Sequence, residues 1–199
     1  MSTRARPSLV TFFTASAALL LLSGCATTKS TRAEPLESTV DIADVADCRA
    51  ITVSAFTVTA ENDKATEEVA AAFAADITKR LASDFGNLFD SVESAPDARG
   101  VPGECILGGT ISRYDPGNRA VRLATLPGIG SVHFEGSIKL TDAVRGQELL
   151  AAPFDKLWAF SGVIGASKGI QNLVNETAAA AAATVAQGKG WKPPAASTR

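Results

Sequence analysis

Residues 132–140 read Val-His-Phe-Glu-Gly-Ser-Ile-Lys-Leu, so that Val132, Phe134, Gly136, Ile138 and Leu140 alternate with His133, Glu135, Ser137 and Lys139. Successive side chains leave a strand on opposite faces, and this period of two predicts one face in a core and the other in water. The next stretch, Thr141-Asp142-Ala143-Val144-Arg145-Gly146-Gln147, turns the chain into a second strand from Glu148 to about Asp155. The result is a hairpin with Gly146 in the strained position.

Away from the hairpin the period changes. Val69, Phe73, Ile77, Leu81 and Phe85 recur every four residues while Glu67, Glu68, Lys79 and Asp84 fall elsewhere, which predicts a helix from about Lys64 to Phe85. Asn62 or Asp63 is placed to cap its start and Gly86 to stop it. Ahead of it a strand is expected over Ala50–Thr59. There Ile51, Val53 and Ala55 alternate before the apolar phase moves to Phe56 and Val58, as suits a central strand apolar on both sides. After the helix come a short strand at Leu88–Val92 and a buried one at Glu104–Tyr114, where Gly108 and Gly109 signal close backbone packing or a bulge. The turn-rich connection Asp115–Gly130 is expected to hold some strand around Ala120–Ala124. A second helix follows the Gly-rich passage Ser161–Gly169 and runs to about Ala186, with Ile170, Leu173, Val174, Ala181 and Val185 on its apolar side. This order predicts an α+β domain over 48–187, a mainly antiparallel sheet with two long helices packed on one face. The tail 188–199, with Pro193 and Pro194, is expected to be disordered.

The N-terminus carries Arg4 and Arg6, an apolar run from Leu9 to Leu22, and then Leu22-Ser23-Gly24-Cys25. Basic, apolar and small residues in that order read as a secretory signal peptide over 1–24. The apolar run is about 14 residues, short of the roughly 20 needed for a permanent membrane span. The Leu-Ser-Gly-Cys ending resembles the bacterial lipobox, in which the cysteine thiol takes diacylglycerol before cleavage. A lipidated Cys25, with diacylglycerol and N-acyl chains, is therefore the expected membrane anchor, because several chains hold where one holds only marginally. Ala26 follows where an inner-membrane retention signal would place Asp, so the expected site is the outer membrane, facing the periplasm. Residues 25–47, rich in Thr, Ser, Ala and acidic residues, read as a flexible tether. Loss of Arg4 and Arg6 leaves 17 Lys and Arg against all 21 Asp and Glu. No block of like charge is present, so nucleic acid is not an expected partner.

Cys48 and Cys105 then form an even pair in a compartment that permits disulfides, and they are read either as a bridge or as two buried thiols. A bridge would contribute roughly 3–4 kcal/mol. One His and two Cys do not supply a zinc ligand set, so no metal or other cofactor is expected.

Asp115-Pro116-Gly117-Asn118-Arg119 through Arg122, then Gly128-Ile129-Gly130, then Thr141-Asp142 and Gly146 resemble the pattern of a bacterial family known only as domain of unknown function 4410, over about residues 48–187. That pattern has a Pro-Gly and an Arg before a Gly-rich turn, an alternating strand and an Asp-x-x-x-Gly hairpin. The glycine turn is sparser here. The resemblance implies an architecture similar to envelope lipoproteins such as the curli secretion lipoprotein and the N-terminal domain of the Tol-Pal periplasmic protein, which act by assembly and binding. It brings no catalytic residues with it.

His133, the sole imidazole, falls on the wet face of its strand beside Glu135 and reads as solvated rather than catalytic. No Gly-x-Ser-x-Gly elbow is present, and residues 162–169 lack the Gly-Lys-Ser/Thr order of a phosphate loop. Trp158, Phe160, Val163 and Ile164 flank glycines, and this stretch either completes the core or forms a surface for a partner subunit or the membrane. Arg119 and Arg122 either pair with Asp115 or Asp142 or meet an anionic partner. The expected function is a non-enzymatic binding or assembly module, with protein partners or copies of itself. The alternative is an envelope hydrolase with a carboxylate site assembled from distant positions. The anchor is tested by Cys25→Ser. Processing should stop and the protein should leave the membrane fraction, whereas unchanged cleavage and pelleting would refute lipidation.

Overall fold

The strand pattern at 132–140 belongs to the longest ribbon of the sheet. In a computed structural model that describes residues 34–38, 42–59, 65–124, 126 and 128–193, the chain runs β1 (Ala50–Val53), β2 (Thr57–Val58), α1 (Glu67–Phe85), β3 (Ser91–Ser94), β4 (Glu104–Asp115), α2 (Arg119–Ala124), β5 (Val132–Asp142), β6 (Glu148–Trp158), α3 (Gly162–Ser167) and α4 (Ile170–Gly188). The signal at 1–24, Cys25, the expected cap at Asn62 or Asp63, and 194–199 lie outside the described residues.

The sheet order is β3-β1-β4-β5-β6, with β2 also beside β4. The long pairings β4–β5 and β5–β6 are antiparallel. At the other edge β1 runs parallel to both β3 and β4. That parallel edge follows from connectivity, since α1 carries the chain from β2 back to β3 in a crossover that returns it in the same direction.

The single strand expected at 50–59 is broken at 54–56. The break is what lets Phe56 turn into the core on the same side as Ile51 and Val53. α1 starts later than expected, at a Thr66 cap whose hydroxyl accepts from the Val69 N–H at 3.3 Å. Glu67 and Glu68 in its first turn suit the positive end of the helix dipole. Gly86 does not stop the helix by a left-handed turn. Its φ of −57° and ψ of −22° carry the chain into a 3-10 turn through Leu88.

Both long helices pack on one face of the sheet. Phe73 of α1 lies against Phe56, Phe134 and Phe154 at centroid distances of 4.8, 5.2 and 5.6 Å, mostly edge to face. The strands beneath these rings carry Gly109 and Gly136. A Cβ at Gly136 would collide with the Thr110 carbonyl and come within 2.6 Å of Phe154, and one at Gly109 would meet the Ser137 carbonyl and, at 2.9 Å, Phe56. The glycines are therefore the seats of the aromatic rings.

α4 is buried around most of its circumference, and its alanines from Ala178 to Ala186 allow close approach by neighbours. One neighbour is the N-terminal segment. Leu36 is buried and its N–H donates to Thr184 Oγ1 at 2.7 Å, while Thr184 donates to Ala180 O at 2.8 Å. Val45 is fully buried against Gly188, where a side chain would not fit. Within the stretch expected as a tether, residues 34–38 and 42–47 each place one apolar residue, Leu36 and Val45, against the domain. At the start of the expected tail, Trp191 stacks edge-on to Phe85 at 5.2 Å, and Lys189 Nζ donates to Ala46 O at 2.6 Å. Cys48 and Cys105 are bonded, with their Cα atoms 5.6 Å apart, joining the approach to β1 to the start of β4.

β6 is the long edge strand. Ser38 Oγ donates to Ala151 O at 3.4 Å, Pro153 two residues on has no N–H to offer, and Asp155 carries charge along the same side. Such features keep an edge from recruiting another strand.

Candidate interaction surface

The connection between β4 and β5 is built by glycine and arginine. Asp115 Oδ1 accepts from Gly117 N at 3.0 Å, and Asn118 N donates to Gly130 O at 3.1 Å, so the two ends of the connection cross. Gly117 (φ +60°) would strike the carbonyls of Gly130 and Ser131 if it bore a Cβ, which explains the Pro-Gly and Gly-x-Gly pattern at this site. Asn118 Oδ1 then accepts from Val121 N at 3.0 Å and begins a helix, so Arg119–Ala124 is helical where strand was expected.

Arg122 is 2% exposed, the one buried cation among the described residues. Its Nη1 donates to Gly130 O at 2.6 Å and its Nη2 to Lys168 O at 3.0 Å. It fixes the connection by reaching backbone carbonyls on two other segments. Gly128 N adds a bond of 2.8 Å to Ala159 O. α2, the turn at 128–130 and α3 are thereby gathered at one end of the β5–β6 ribbon.

This end is apolar and open to water. Val163 is 82% exposed and Leu126 75%, and Leu123, Ile129, Leu157, Phe160 and Ile164 are each more than half exposed. A groove of about 600 Å³ between α2 and α3 is lined by Arg119, Ala120, Leu123, Val163, Ala166 and Ser167. Of the four residues singled out in the sequence, Trp158 is half-buried against the core, with Phe160 at 4.7 Å and Lys168 Nζ 4.7 Å over its ring. Phe160, Val163 and Ile164 project outward. Leu123, Leu126 and Ile129 were missed by the sequence reading. Their signal was an apolar 123–129 inside a turn-rich connection, where neither strand nor long-helix periodicity applies.

The chemical groups elsewhere have structural partners. His133 Nε2 and Asp155 Oδ1 lie 2.6 Å apart on the wet face of the sheet. At the far end of β5, Asp142 Oδ1 accepts from Arg145 N at 2.7 Å and Val144 N at 2.8 Å, and these bonds hold its carboxyl below the usual aspartate range. That turn, with Gly146 at φ +65°, is the hairpin read from the sequence. Residues 162–167, which superficially suggested a phosphate loop, form α3, and Lys168 pairs with Glu176 at 2.6 Å. Among the described residues no three of His, Cys, Asp and Glu gather to hold a metal ion, and no helix is long and apolar enough to cross a membrane.

The domain so defined is an α+β layer with two long helices over one face and an exposed apolar end. It belongs to the family described as Domain of unknown function (DUF4410), which matches residues 31–162 and so takes in the docked N-terminal segment and stops before α4. No curated protein matches. Among solved structures, a variant of the PelC dodecamer from Paraburkholderia phytofirmans is similar in fold, with a TM-score of 0.50 and 14% identity over 76% of this chain and 95% of that one. Lipoprotein GNA1162 from Neisseria meningitidis aligns at a TM-score of 0.39 and 12% identity, covering 69% of this chain and 98% of that one.

Glu104 is the one buried carboxylate among the described residues, and it ties the loop before β4 to β1. Burial is the largest single influence on it and pushes its pKa up. The bonds from Thr52 Oγ1 (2.7 Å), Arg99 N (3.1 Å) and Val101 N (3.3 Å) together outweigh burial and leave it below the ordinary glutamate value. Its contribution to stability is therefore complete above about pH 4.3 and is lost as pH falls through the lowered folded-state value. Glu104→Gln should cost about 1–3 kcal/mol at neutral pH and flatten the loss of stability in acid, as read by denaturant midpoints across pH. Parallel acid limbs for the two proteins would contradict this.

Proposed function

We propose that this chain is a lipid-anchored module of the bacterial envelope, cut before Cys25 and held at the outer membrane facing the periplasm, and that it works by associating with copies of itself through its apolar end. The exposed cluster of Leu123, Leu126, Ile129, Phe160, Val163 and Ile164 carries this reading. Soluble monomers rarely leave contiguous apolar area of this kind open to water, and such patches mark contact sites. A dodecamer is the state named for the PelC structure of similar fold, which favours a second copy as the occupant. The protected edge of β6 argues against strand addition as the route of assembly.

A non-enzymatic role fits the carboxylates as well. Glu104, Asp115, Asp142 and Asp155 each hold a loop, a turn or the histidine in place.

The test is crosslinking in the native envelope of the Val163→Asp/Ile164→Asp double variant. Self-crosslinking should fall by an amount corresponding to about 2 kcal/mol or more, while the melting transition stays within about 0.5 kcal/mol of the parent. Undiminished crosslinking to itself would overturn the reading.

A further inference from the structure

We infer that Arg122 is the positioning residue of the apolar end, the side chain that assembles three separate segments into one surface; the inference rests on the self-association reading above. α2 has six residues and α3 six, both far too short to persist alone. Ordinarily such helices are held by buried apolar side chains. Here α2 buries Arg122 and nothing else, and among the described side chains of α3 Ala166 alone is buried. What joins them is polar. The guanidinium leaves α2, meets Gly130 O in the turn and Lys168 O where α3 gives way to α4. Each segment that it bonds lies beside exposed apolar residues: Leu123 on α2, Leu126 and Ile129 at the turn, Val163 and Ile164 on α3.

The chemistry requires an arginine. A buried cation is tolerated only when its donors are satisfied, and the planar fork with several N–H groups reaches carbonyls in two directions. A lysine at this position has one nitrogen and cannot span both acceptors in the same way. The placement also explains how an apolar surface is kept open to water yet ordered. The anchoring is internal and polar, which leaves Leu123 of α2 and Val163 and Ile164 of α3 facing water.

The experiment compares Arg122→Met and Arg122→Lys with Val163→Asp/Ile164→Asp, using hydrogen exchange on the mature lipoprotein purified in detergent and crosslinking in the envelope. For Arg122→Met, amide exchange over 119–124, 128–130 and 162–168 should rise by about an order of magnitude or more. β4, β5, β6, α1 and α4 should keep their protection. Self-crosslinking should drop about tenfold, and Arg122→Lys should not restore it. Unchanged exchange in the three segments, or raised exchange with full crosslinking, would overturn the inference. If the apolar double variant crosslinks normally, the self-association reading fails by itself, and the exchange pattern still decides whether Arg122 holds the segments together. Should Arg122→Met fail to fold, Asn118→Gly loosens α2 from its exposed cap. A smaller rise in exchange confined to the same segments would support the inference, and protection unchanged there would overturn it.

Discussion

Phe73 and the glycine-floored sheet beneath it set the geometry of the domain. Side chains at Gly109 or Gly136 would fill the space that Phe56 and Phe154 occupy, and Phe73 sits where those rings and Phe134 meet. This contact sets the height of α1 above the sheet. With α1 fixed there, α4 lies beside it, and its buried alanines let the two helices approach closely. The N-terminal segment then packs on α4 through Leu36 and Val45. The core thus grows outward from one aromatic cluster.

The two ends of the sheet are built by different physics. At the disulfide end, Cys48–Cys105, Glu104 and the Asp142 turn pin loops with covalent and charge-assisted bonds. At the other end, a crossing of glycines and one buried arginine order short helices while leaving their apolar side chains in water. Rigid polar anchoring beneath an apolar surface lowers the entropy that association would otherwise have to remove.

Legibility in the sequence followed the range of the interaction. The β5–β6 hairpin, its Gly146 and both long helices were readable, because period-two and period-four apolar patterns and turn residues are local signals. The parallel placement of β1 between β3 and β4 was not, since pairing across a helical crossover leaves no short-range mark. The docking of Leu36 and Val45 within the stretch read as a tether left no such mark either, because a lone apolar residue in a polar stretch has no periodicity. At the interaction surface, Trp158, Phe160, Val163 and Ile164 were singled out by composition alone. Leu123, Leu126 and Ile129, and the meeting of Arg122 with Lys168 at 46 residues' separation, depend on tertiary folding.

The glycine seat is tested most directly by the sign of one substitution. At a compatible, open position, Gly→Ala stabilises a protein by about 0.4–1 kcal/mol by restricting the unfolded chain. At Gly136 the new methyl would meet the Thr110 carbonyl and the Phe154 ring, so denaturant unfolding of Gly136→Ala should show a loss of about 1–3 kcal/mol. An unchanged or raised midpoint would contradict the placement of Phe73 and its neighbours over a glycine floor.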